Sequence, residues 1–282
     1  MKNFSKYLYT ATAAAMALSM AGCSSSSAAA STAASTATAA ASTATAAADD
    51  ATAGFEDELV KANTITVAIS PDYPPYESYA TDGSLQGFDV DMGNSLVQYF
   101  GSDYKIEFVS MSFDTIITAV QSGQVDLGIS GFTYDADRQV AFSDPYLTSA
   151  EVVLVQKDSG ITTIDDLKGK SLAAQSGSTG ETAANTVEGA TVTTGTDAQV
   201  LIEALKTGAY DGVVLDQPVA QNYVDSNSDS FTIVEEPLLT ENTCIIAKQG
   251  NDALVAKVNE ALASYMATDA YTENKTKWEL DQ

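Results

Sequence analysis

From residue 64 onward, short runs rich in β-branched residues alternate with runs whose apolar residues recur at helical spacing, and no other feature limits the possible folds as strongly. Residues 64–70 read as a strand, residues 83–91 as a turn into a helix with Val90, Leu96, Val97 and Phe100 on its inner face, and residues 105–109 as the next strand. A second helix opens at Phe113 and Asp114, carries Ile116, Ile117 and Val120 inward and is closed by Gly123. Residues 127–129 follow as a short buried strand. Strands that alternate with helices pair in parallel through right-handed crossovers, so a mostly parallel sheet flanked by helices is expected. The rhythm resumes with a short helix at 164–167, a strand at 171–174, and a loop at 175–180 entering a helix with Ser178 and Glu181 spaced as a capping box. A further strand and helix lead to a strand at 212–216 that ends on Asp216, before a helix at 218–224. Two extended runs, 150–156 and 241–248, flank this second block and imply two lobes joined by two crossing strands. A helix over 252–266, with Leu254, Val255, Val258, Leu262 and Tyr265 inward, returns to the first lobe.

The N-terminal residues obey different rules. Lys2 and Lys6 precede an apolar run at 7–20 that is too short to span a bilayer as a permanent helix, and Met20-Ala-Gly-Cys23 follows it. Residues 24–53 are almost wholly Ser, Ala and Thr, which offer nothing to bury and read as a flexible tether. The formal charge of −25 becomes about −27 once Lys2 and Lys6 leave with a signal segment, and such a surface is a poor partner for nucleic acid or anionic lipid. The absence of histidine removes Ser-His-Asp and Cys-His catalysis. With Cys244 the one cysteine beyond Cys23, it also removes an ordinary zinc site, so no catalytic or metal-ligating residue is singled out. Cys244 sits in an apolar run and reads as a buried strand residue without a disulfide partner.

Arg138 is the only arginine in the chain. Ser130 and Gly131 break the preceding strand, and Asp135 is a good N-cap for a helical turn through Val140, which puts Arg138 in a first turn where a cation is disfavoured unless an anion is near. Its guanidinium can present a fork of donors to a carboxylate, in the space that Gly131 and Thr133 also face, or it can pair at the surface with Asp135 or Asp137. Residues 71–76 form a rigid turn that displays Tyr73 and Tyr76, which either cap the core or wall a pocket at the carboxyl end of a strand. The N–H groups at the helix start after residue 178 form a natural anion site.

Taken together, Tyr73-Pro-Pro-Tyr-Glu77, Gly87-Phe-Asp-Val-Asp91, Phe113-Asp114, residues 126–146, Asp166-Leu-Lys-Gly-Lys170, residues 175–181 and residues 212–220 resemble the polar amino acid-binding proteins of ABC importers, the family 3 solute-binding proteins. The resemblance runs in the same order over essentially all of 55–280, and Met20 to Cys23 resembles the lipobox of a bacterial lipoprotein. It implies an α/β chain with the type II periplasmic-binding-protein fold: two lobes, each a central mostly parallel sheet flanked by helices, joined by two hinge strands and closing over an L-amino acid. It divides the chain into a signal peptide at 1–22, a lipidated Cys23 with its tether at 23–54, a first lobe from 55–150 and 241–282, and a second lobe from 151–240.

The resemblance also implies ligand roles. Arg138 grips the α-carboxylate, Gly131 and Thr133 contact the ligand from the same loop, Thr179 reaches the carboxylate from the second lobe, and Asp216 takes the α-ammonium. Tyr73 and Phe113 sandwich the ligand, while Ser70 and Gln175 stand at its side-chain end. Some binders of basic amino acids have an acidic residue where this chain has Ser70, so a neutral L-amino acid is expected. No cofactor is expected. The implied partners are the amino acid, a permease and the membrane through the lipid anchor, for a monomer on the outer face of the cell membrane. Two other functions stand beside this one. A cyclohexadienyl or arogenate dehydratase-like enzyme would have only Glu77 and Glu181 to offer as acid or base, and a sensory ligand-binding protein would signal without transport.

Overall fold

The computed structural model describes residues 63–234 and 236–281, so the expected signal segment, Cys23 and the tether lie outside the described residues. The chain begins with β1 (Thr64–Ile69), three short strands β2 (Asp72–Tyr73), β3 (Glu77–Tyr79) and β4 (Leu85–Gln86), and α1 (Phe88–Leu96), which a 3-10 turn (Val97–Tyr99) extends. It continues through β5 (Lys105–Ser110), α2 (Phe113–Ser122), β6 (Leu127–Gly128) and β7 (Val140–Phe142). β8 (Leu147–Gln156), a 3-10 turn (Ile164–Leu167), β9 (Ser171–Gln175), α3 (Thr179–Asn185), β10 (Thr191–Gly195), α4 (Ala198–Lys206), β11 (Gly212–Asp216), α5 (Gln217–Ser226), β12 (Phe231–Ile233) and β13 (Leu239–Thr243) follow. β14 (Ile246–Lys248), α6 (Asp252–Met266) and α7 (Asp269–Lys277) complete it.

Two sheets result. The first has the order β5-β1-β6-β14-β7, with β1 parallel to β5 and β6 and with β14 antiparallel to its neighbours. The second has the order β10-β9-β11-β8-β12, with β13 also paired to β8. Burial on both faces explains why the central strands β8 and β11 read as near-continuous apolar runs. In β11, Val213 and Leu215 pack with Leu201 and Leu205 of α4, while Val214 between them points into a separate cluster with Ala183 and Ala184 of α3. Val67 of β1 packs with Phe88, Met92, Leu254 and Val258, and Ala68 beside it with Phe113, Ile116 and Val120. Each large side chain so buried contributes roughly 1.5–3 kcal/mol.

The chain crosses between the sheets twice, and the two crossings are laced together. Ser143 N–H donates to Ile245 O at 2.9 Å, Ile245 N–H to Ser143 Oγ at 2.9 Å, and Tyr146 N–H to Thr243 O at 2.9 Å. β8 and β13 then run antiparallel from the pair Leu147 and Thr243 to the pair Glu151 and Leu239. The joints expected at 150/151 and 240/241 therefore fall inside paired strands.

Two local expectations are corrected. Residues 135–140 form no helix, because the Asp135 carboxylate accepts the Asp137 N–H at 2.8 Å and Asp135 O accepts the Arg138 N–H at 3.2 Å, which closes a single turn. Val140 to Phe142 then pairs with β14, where its apolar side chains find burial. Cys244 is buried and free, but it lies in the break between β13 and β14, its N–H bonded to Phe132 O at 2.7 Å. Gly87, before α1, has φ +139°, and a Cβ there would stand 2.0 Å from Tyr76 O.

Candidate functional site

A cavity between the sheets collects every side chain expected to hold a ligand. From the first sheet and its loops come Ser70, Tyr73, Phe113, Gly131, Thr133 and Arg138, and from the second come Gln175, Thr179 and Asp216. Ser70, Tyr73, Gln175 and Asp216 stand at strand ends and Phe113 and Thr179 at helix starts, while Gly131, Thr133 and Arg138 lie on the loop between β6 and β7. The space free of protein atoms is about 310 Å³, its mouth included.

Arg138 is positioned by carbonyl groups on both sides of the gap. Its Nη1 donates to Thr133 O at 2.9 Å and its Nη2 to Gly177 O at 2.9 Å. The guanidinium lies 5.4 Å from the Phe132 ring centroid and 6.0 Å from that of Phe113, within the range of a cation–π contact. Among the described residues it makes no ion pair, so the surface pairing with Asp135 or Asp137 is not formed. Phe113 stacks on Phe132 at 4.6 Å, and Tyr73 on Tyr76 at 6.2 Å, so each cavity aromatic is backed by a fully buried one. Gly131 has φ +57°, and its N–H donates at 2.9 Å to Asp89, which also accepts from Tyr146 OH at 3.0 Å.

Asp216 closes the opposite end. Tyr73 OH donates to Asp216 Oδ2 at 3.0 Å and accepts the Asp216 N–H at 3.0 Å, while Asp216 Oδ1 is buried without a partner. Burial, and then the nearby Glu241, push its carboxyl from an ordinary 3.8 up to about 7. The strand register sets Glu151 opposite Asp216, and the oxygens of Glu151, Asp216 and Glu241 come within 4.8 Å of one another. Glu151 Oε2 and Glu241 Oε2 also lack partners, and Thr179 OH donates to Glu151 at 2.9 Å and to Glu241 at 3.4 Å. Three buried carboxylates with orphaned oxygens and, among the described residues, no lysine or arginine in an ion pair with them fit a small cationic group, an ammonium or a metal ion.

Besides Asp216, two carboxylates line the cavity, Glu77 and Asp72. Glu77 accepts from Ser130 OH at 2.7 Å, and burial, then Asp89, hold its carboxyl well above the usual range. Asp72 was not singled out by the sequence, although it follows Ser70 by two residues. Asp72 N–H donates to Ser70 O at 2.8 Å, and this turn brings the carboxylate back beside the Ser70 hydroxyl, which donates to it at 2.6 Å. Asp72 also accepts from Gln175 Nε2 at 2.8 Å. The helix start at residue 178 differs in detail from a capping box. Ser178 Oγ accepts the Glu181 N–H at 3.1 Å, but the Glu181 carboxylate takes the Gly177 N–H at 2.8 Å and does not line the cavity.

Residues 65–281 match the family described as bacterial extracellular solute-binding proteins, family 3. The arginine-binding extracellular protein ArtP of Bacillus subtilis (strain 168) is 32% identical over 220 residues, which cover 76% of this chain and 85% of that protein. A solved structure of an ancestral arginine-binding protein bound to glutamine is 34% identical and superposes with a TM-score of 0.71, covering 78% of this chain and 99% of that one. The ancestral amino acid-binding protein AncCDT-1, a precursor of cyclohexadienyl dehydratase, is 30% identical with a TM-score of 0.71, over 77% of this chain and 95% of that one.

Proposed function

The chain belongs to the family 3 bacterial extracellular solute-binding proteins, and from that premise we propose that it captures an L-amino acid between its two lobes and delivers it to an ABC permease. One observation carries the reading: the chain's only guanidinium and a buried, half-partnered Asp216 face one cavity from different lobes. A zwitterion is the complement of that pair, its carboxylate on Arg138 and its ammonium on Asp216. Thr133, Gly131 and Thr179 complete the polar contacts, and Tyr73 and Phe113 hold the apolar part of the ligand. Calorimetry with Arg138→Ala checks this, with a loss of roughly 3 kcal/mol or more expected because the ligand carboxylate is left buried and unpaired. Wild-type affinity in that variant would overturn it.

For the side chain, the reading is a neutral, hydrogen-bonding amino acid that lies against Ser70 and Gln175. Asp72 favours a second reading, a cationic side chain, because it supplies the carboxylate that Ser70 does not. The relative named for arginine and the neighbour bound to glutamine are consistent with one reading each. A thermal-shift panel of the common amino acids separates them by which ligand stabilises most. Binding without turnover is the proposed role, since Glu181 is engaged with Gly177 and Glu77 with Ser130. Conversion of arogenate or prephenate by the purified protein would reverse that.

A further inference from the structure

We infer that Asp72 is a positioning residue that latches the two lobes together over the ligand side chain, and does not itself pair with a charged one. The inference rests on reading the cavity as an amino acid site. Asp72 belongs to β2, beside the first sheet, and its Oδ2 accepts from Gln175 Nε2 at 2.8 Å and from the Ala198 N–H at 2.7 Å. Gln175 ends β9 and Ala198 begins α4, so both donors come from the second lobe. These bonds join protein atom to protein atom across the cleft.

The helix start is shared between two acids. Asp197, the N-cap, accepts the Val200 N–H at 3.0 Å, and Asp72 reaches from the other lobe to take the Ala198 N–H that the cap leaves over. The positive end of the α4 dipole therefore faces the Asp72 carboxylate. With the Ser70 hydroxyl on Oδ1 at 2.6 Å, three donors of fixed position occupy the carboxylate, which offers about four acceptor sites in all. Both donors on Oδ2 come from the second lobe, so a cationic ligand group could take that oxygen only by displacing one of them and leaving a buried amide donor unpaired; the site left over is on Oδ1, beside the Ser70 hydroxyl. A neutral group leaves all three in place, and an anionic group meets the carboxylate itself. Asp72 thus admits a neutral side chain at an end of the cavity that carries a formal charge.

The test combines Asp72→Asn with Gln175→Ala, which removes the amide donor and leaves the acid. Small-angle scattering of each purified variant without amino acid is expected to show a larger radius of gyration than wild type. Calorimetry is expected to show affinity for neutral amino acids reduced about tenfold or more, as the loss of charge-assisted bonds implies. In Asp72→Asn the ratio between glutamine and arginine affinities should stay within about threefold of wild type, a difference of under ~1 kcal/mol. Selective loss of arginine binding with neutral ligands retained would make Asp72 a ligand-charge partner and overturn the latch, as would unchanged scattering in both variants. A wild-type protein that binds no amino acid would sink the proposed function instead, while the scattering of the variants still reads the latch.

Discussion

In the proposed site, Asp216 would couple the ligand's charge to protons. Its carboxyl is raised by burial to about 7, far above the 3.8 of an exposed acid, and Glu151 and Glu241 beside it are raised for the same reason. A raised folded-state value contributes stability that is fully present below the unfolded value and is lost as pH rises through the folded one. Without amino acid, the melting temperature is therefore expected to fall between pH 5 and pH 8, and Asp216→Asn to flatten that slope in a scanning-calorimetry series. Amino acid binding should become tighter over the same window, with proton release visible as a dependence of the binding heat on the buffer. An affinity independent of pH would show that no ammonium is met by this cluster. The residues legible in the sequence were those whose chemistry is rare in this chain or exposed by its turns, Arg138 and Tyr73 above all. Glu151, Glu241 and Asp72 were not, because one acid among 38 acidic residues carries no signal until strand pairing sets Glu151 and Glu241 beside Asp216 and a tight turn brings Asp72 to the cavity.

At the scale of elements, close backbone approach matters as much as apolar burial. Gly87 holds a left-handed conformation against the Tyr76 carbonyl, and its neighbours Phe88 and Asp89 donate N–H groups to Pro75 O and Tyr76 O at 3.0 Å each. Gly87→Ala is expected to lower stability by roughly 2–4 kcal/mol, seen as a drop in melting temperature, because the methyl group can be placed only by moving the loop that carries Tyr73. An unchanged melting temperature would contradict this. Long periodic elements were the legible ones: the helix expected over 252–266 spans those same residues, because its apolar spacing and Asn251 cap agree. The small sheet of β2, β3 and β4 was not legible, since strands of two or three residues are too short to show a period. The turn at 135–138 misled because an Asp can cap a helix or close a turn with the same side chain.

For the whole molecule, the proposed lipid anchor and the binding site are separable. Cys23→Ala is expected to release the protein from the membrane fraction while leaving its calorimetric affinity unchanged, since the cavity is built entirely from residues 70–216. Membrane association that survives the change would remove Cys23 as the attachment point. The laced crossings have another consequence. Leu147 and Thr243, where the chain enters and leaves the second sheet, are paired neighbours, so everything between them enters and exits at one spot. In evolutionary terms that stretch is a cassette. A double crossover between related genes at these two positions would replace Gln175, Thr179 and Asp216 together while leaving Arg138 and its loop untouched, so a descendant could inherit a new taste in side chains without losing the proposed hold on the carboxylate.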